Sequence, residues 1–89
     1  MTRPLTPEQL LAVADTYCGR FPVRVRSFPA LAAAAAVPGA RFHGVAVHDS
    51  PAAAADALRD VLEHLDPLTG GNKQFARLCA QVYRRLAED

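Results

Sequence analysis

The chain has 89 residues, 51% of them hydrophobic and 21% charged, with a formal net charge of +1. That length and balance suit one globular domain with a single modest core and exclude a disordered chain. The near-neutral charge excludes strong bulk attraction to nucleic acid, so no specific nucleic-acid partner is expected and any basic face is local. The alanine run at residues 32–36 is too short and too weakly apolar to span a bilayer, and no long apolar stretch at the N-terminus reads as a signal peptide. A cytoplasmic protein with no membrane partner is therefore expected. In a reducing compartment Cys18 and Cys79, both inside apolar helical patterns, read as core residues rather than as a disulfide.

Thr6-Pro7-Glu8-Gln9 predicts a helix start, because Thr6 can cap, Pro7 suits the first helical position and Gln9 can close a capping box. Leu10, Val13, Ala14 and Tyr17 follow at helical spacing, Leu11 and Cys18 widen the stripe, and Gly19 is the expected C-cap. Residues 20–26 alternate Phe21, Val23 and Val25 with Arg20, Arg24 and Arg26, the pattern of a short edge strand, although Pro22 also suits a loop. Arg24 and Arg26 read as solvated charge, with anion contact as the alternative. Ser27-Phe28-Pro29 opens a second helix that runs through Leu31 to about Val37 and ends at Pro38-Gly39. Its alanines favour helix and close packing.

Residues 41–49 lack helical periodicity. His43, His48 and Asp49, even with His64, match no metal-ligand spacing, since zinc needs three or four convergent ligands. They read as surface polarity. Ser50-Pro51 repeats the cap-plus-proline start, and Leu58, Val61, Leu62 and Leu65 follow at i, i+3, i+4 and i+7. Arg59 and Glu63 make an i, i+4 pair on the outer face. Phe75, Leu78, Cys79, Val82 and Leu86 form the cleanest stripe in the chain, and Arg84 and Arg85 fall where cations favour the end of a helix dipole. The pattern predicts an all-α bundle of about four helices, with an irregular or hairpin-like segment near residues 42–47.

The stretch Asp66-Pro67-Leu68-Thr69-Gly70-Gly71-Asn72-Lys73-Gln74-Phe75-Ala76-Arg77 joins the last two helices. A helix N-terminus leaves amides without partners and carries roughly +0.5 charge, so it welcomes an anion. Gly70 and Gly71 let the backbone approach a phosphate closely, and such a turn can form an anion-binding nest. Lys73 and Arg77, at i and i+4, share one face and can reach the same ligand. The plainer reading of the same residues is a connecting loop followed by solubilising cations.

This stretch resembles the signature of the Fic/Doc family, commonly written H-x-F-x-[DE]-G-N-x-R-x-x-R. Without gaps, Gly71 takes the motif glycine, Asn72 the asparagine, Lys73 the lysine common in Doc-like members and Arg77 the second arginine, while Pro67 and Leu68 match the residues after the histidine. Asp66 stands in place of the catalytic histidine, Gly70 in place of the metal-binding acid and Gln74 in place of the first arginine. A longer-loop alternative gives the histidine role to His64. Residues 5–15 resemble the opening of Doc-like proteins, and Phe42 and Gly44 resemble a Phe-Gly pair of their flap, often a β-hairpin. The resemblance implies a small Fic/Doc-like helical bundle over residues 1–89, truncated relative to relatives that continue with a further helix.

In the family a histidine accepts the proton of an attacking hydroxyl, and the loop acid holds Mg²⁺ on the phosphates of ATP or another nucleotide as AMP or phosphoryl is transferred to a protein. An aspartate can orient a hydroxyl for such transfer, so Asp66 is the candidate catalytic residue. Gly70 cannot bind a metal, and losing one well-placed charge stabiliser costs on the order of 10²–10³ in rate. The resemblance thus implies a degenerate member that keeps a phosphate or nucleotide site at Gly70, Gly71, Asn72, Lys73 and Arg77 and acts by binding a protein. An active toxin of a bacterial toxin–antitoxin pair, modifying a translation component with Asp66 as base, is the second reading. A pure interaction module is the third, in which an antitoxin, a target or a second copy covers the face that the further helix covers elsewhere.

Overall fold

The computed structural model describes residues 3–88. Four helices, α1 (Pro7–Arg20), α2 (Phe28–Ala35), α3 (Pro51–Leu65) and α4 (Asn72–Glu88), are joined by short connections. A two-stranded antiparallel hairpin, β1 (Arg41–Phe42) and β2 (Val45–Ala46), lies between α2 and α3. The expected all-α bundle with a hairpin is therefore what the chain forms. Each helix packs on its neighbour in the chain, most extensively α3 on α4, and α4 returns to α1 and closes the ring.

The first three helices start as the sequence predicts. Thr6 accepts the Gln9 amide at 3.1 Å while the Gln9 side chain accepts the Thr6 amide at 2.9 Å, completing the capping box. Ser27 and Ser50 cap α2 and α3 by accepting the amides of Ala30 and Ala53, each at 3.1 Å, and a proline occupies the first turn of all three. A hydroxyl acceptor and a pre-set proline φ lower the cost of nucleating a helix at these points.

The helix ends differ from expectation. Gly19 does not end α1: the helix continues through Arg20, and the Phe21 amide still bonds to the Tyr17 carbonyl. Termination comes from Pro22, which pushes the residue before it into extended backbone, and Phe21 has φ −129 and ψ 150. α2 stops at Ala35, two residues short of the expected Val37. The hairpin turn is His43-Gly44, with φ of 51° and 80°. Positive φ at both positions marks the primed turn whose twist matches that of paired strands, and glycine supplies one of them without strain.

The core combines Leu10, Ala14 and Tyr17 of α1 with Leu31, Ala34 and Ala35 of α2, and Ala54, Ala55, Leu58 and Leu62 of α3 with Phe75, Ala76, Cys79 and Tyr83 of α4. Small alanines at facing positions let the helix backbones approach closely. Two stripes are rotated from their expected places. On α3 the buried line is Ala54, Leu58 and Leu62, leaving Leu65 40% exposed. On α4 Tyr83 and Ala76 are buried while Leu78, Val82 and Leu86 are half-buried at the flank. Tyr83 can enter the core because its hydroxyl donates to the Arg3 carbonyl at 2.7 Å.

Candidate functional site at the start of α4

Residues 66–71 form the connection from α3 to α4, held by a segment whose pattern suits either a strand or a loop. Residues 24–27 run beside it in extended backbone, and Val25 makes an isolated antiparallel bridge to Leu68. The Thr69 amide donates to the Arg24 carbonyl at 2.8 Å, and the Arg24 amide donates to the Thr69 hydroxyl at 2.9 Å. The Pro67 carbonyl accepts the amides of Arg26 and Ser27 at 2.7 and 3.1 Å. The alternation seen in the sequence thus has a physical origin: Val23 and Val25 turn toward the core while Arg24 and Arg26 stay exposed.

Asp66 ends α3 in left-handed backbone, φ 46 and ψ 62, with its amide bonded to the Leu62 carbonyl. Its carbonyl accepts the Arg26 guanidinium at 2.6 Å. The residue is exposed, and among the described residues its carboxylate makes no ion pair. His64 lies in the last turn of α3, exposed, with its ring Nδ1 2.7 Å from the Asp60 carbonyl oxygen. Among the described residues no group of three or more His, Cys, Asp or Glu is arranged to hold a metal.

Asn72 is half-buried and turned back on the loop. Its Oδ1 accepts the Leu68 amide and its Nδ2 donates to the Leu68 carbonyl, each at 3.0 Å. This side-chain amide substitutes for a strand partner and fixes Leu68, itself 1% exposed, over the core. Asn72 therefore holds the loop in shape with both ends of its side chain.

Gly70 and Gly71 differ in what they tolerate. Gly71 has φ +65, and a Cβ there would lie 2.5 Å from the Tyr17 hydroxyl oxygen. That hydroxyl is within hydrogen-bond distance of the Gly71 carbonyl (3.3 Å) and Gln74 Oε1 (3.1 Å), tying α1 to the start of α4. Only glycine fits at position 71. At Gly70 an added Cβ would meet Val23 Cγ1 at 3.4 Å and nothing nearer, so a Cβ fits.

α4 alone begins without a side-chain cap, since the residue before it is Gly71. Among the described residues no protein acceptor meets the amides of Asn72, Lys73 and Gln74; the first amide of the helix to find one is that of Phe75, which bonds to the Gly71 carbonyl at 2.9 Å. Lys73 and Arg77 are exposed on the same side of α4. Arg77 lines an open cleft of about 530 Å³ between α1 and α4, together with Arg20, Phe21, Gln74 and Gln81. Arg20 and Phe21 were not anticipated as neighbours of Arg77, because a contact between α1 and α4 leaves no mark in local spacing.

Comparison of the chain with protein-family models, curated proteins and solved structures finds no match in any of the three.

Proposed function

We infer that the chain is a phosphate- or nucleotide-binding protein that does not carry out group transfer, and that it is a degenerate relative of Fic/Doc domains working through a protein partner in the cytoplasm. The observation that carries this reading is the first turn of α4: amides without acceptors, a glycine in left-handed backbone before them, and Lys73 and Arg77 exposed on the same side of the helix. Fixed donors at a helix start favour an anion, and two cations add charge that a neutral cap would not need. The glycine geometry supports the ungapped register of the motif. Position 71, which takes the motif glycine, excludes any side chain, whereas position 70, which takes the motif acid, accepts a Cβ.

Asp66, Gly70 and Gln74 argue against transfer, because charge developing on a moving phosphoryl group would be met by Lys73 and Arg77 alone. Calorimetry with ATP and with inorganic pyrophosphate, each with and without Mg²⁺, tests the proposal. Binding independent of Mg²⁺ and weakened by Lys73→Ala is the expected result; no heat at millimolar ligand removes the reading. Growth arrest on expression, relieved by Asp66→Ala, would instead favour the active toxin. The pure interaction module draws on a separate observation, the hairpin, where Phe42 is 70% and Val45 69% exposed. If Phe42→Ser abolishes association with a protein partner while phosphate binding is absent, that reading takes over.

A further inference from the structure

We propose that the outer face of α4 centred on Arg77 is a docking surface for an extended acidic peptide. Two clefts meet on this face. One, of about 530 Å³, lies between α1 and α4 and includes Arg20, Phe21, Gln74 and Leu78; the other, of about 220 Å³, lies between α3 and α4 and includes Asp56, Arg59 and Arg84. Arg77 and Gln81 belong to both, so they form a crest with a groove on either side. Four exposed arginines therefore line the two clefts across three helices, with Asp56 also in the lining. Glu63 and Glu88 are paired to two of them, which leaves Arg20 and Arg77 as the uncompensated cations.

Arg59 and Arg84 are engaged only by loose i, i+4 pairs with Glu63 (3.8 Å) and Glu88 (3.3 Å), while Arg20 and Arg77 have no acid partner among the described residues. In a chain whose formal net charge is +1, this concentration of cations is local and selects a partner by charge complementarity. Gln81 offers both a donor and an acceptor, matching the N–H and C=O of a peptide backbone, whereas a phosphodiester backbone offers acceptors alone. Phe21, 40% exposed, and the half-buried Leu78 give an apolar anchor point beside the first cleft.

The proposal shares Arg77 with the anion site at the start of α4 and adds Arg20, Arg59 and Arg84, which that site does not use. The test is fluorescence anisotropy of a labelled peptide of repeated Glu-Glu-Leu triplets, with an oligothymidylate strand of equal length in parallel. Saturable peptide binding that weakens with salt is expected. Arg77→Glu should weaken it by about tenfold or more and Arg20→Ala and Arg84→Ala by several-fold, by analogy with charged interface pairs. Arg85→Ala, on the same helix but outside both clefts, should leave it unchanged. Lys73→Ala should spare peptide binding while reducing phosphate binding, so the two readings fail separately. All the substituted arginines are exposed, and far-UV circular dichroism reports that each variant folds. The proposal is overturned by absence of saturable peptide binding at low salt. It is equally overturned by an Arg85→Ala effect as large as that of Arg77→Glu, or by tighter binding of the oligothymidylate through the same arginines.

Discussion

Two adjacent glycines in the loop carry different constraints. Gly71 combines left-handed backbone with a Tyr17 hydroxyl 2.5 Å from the place a Cβ would take, so Gly71→Ala must strain the backbone and displace Tyr17 from the core. A non-glycine residue held in that region costs about 1–3 kcal/mol before the clash is counted. Chemical denaturation should show Gly71→Ala less stable than the parent by at least that amount, and Gly70→Ala within about 0.5 kcal/mol of it, the usual range for a substitution that meets no special constraint. Equal effects at the two positions would contradict the geometry. The pair Gly-Gly is plain in the sequence, but which of the two is obligatory was not, because the answer depends on a tyrosine 54 residues away.

At the scale of elements, the loop between α3 and α4 is a built piece of structure rather than a tether. Asn72 pairs both its donor and its acceptor with Leu68, and residues 24–27 close its other side. Asn72→Ala removes both bonds at a half-buried site, so it should cost roughly 1–3 kcal/mol and speed hydrogen exchange at the Leu68 amide. Asn72→Asp keeps the acceptor but sets a carboxylate oxygen against the Leu68 carbonyl, and should rescue little. Helix starts were legible because capping is local: a hydroxyl, a proline and, at α1, a glutamine three residues on are sufficient. The hairpin was legible as an interruption of helical period, and its two strands only through the resemblance. The bridge from Val25 to Leu68 was not, since pairing across 43 positions carries no periodic signal. The buried line on α3 was misjudged for a related reason. Ala54 joins the buried line although alanine is weakly apolar, and Leu65 lies 40% exposed.

For the whole molecule, closure of the ring depends on α4, which carries two of the core's aromatic residues, Phe75 and Tyr83, and the buried thiol of Cys79. Burial pushes the Cys79 thiol from its ordinary 9.0 up to about 12, and burial also raises the Tyr83 hydroxyl despite the opposing influence of Arg3. The unfolded chain can release these protons where the folded one keeps them. Stability should therefore be insensitive to these groups below pH 9 and fall as pH climbs from 9 toward 12. Thermal unfolding at successive alkaline pH values checks this, and Cys79→Ala should flatten the decline over the first part of that range. The central claim concerns the opposite end of α4, where the amides of Asn72, Lys73 and Gln74 have no acceptor in the fold. The most direct measurement is an amide-resolved NMR titration with inorganic phosphate at low salt. Saturable shifts confined to residues 70–74, reduced in Lys73→Ala, are the predicted result. Shifts that are absent at millimolar phosphate, or spread evenly over the arginine-bearing surface, would contradict an anion site at the start of α4.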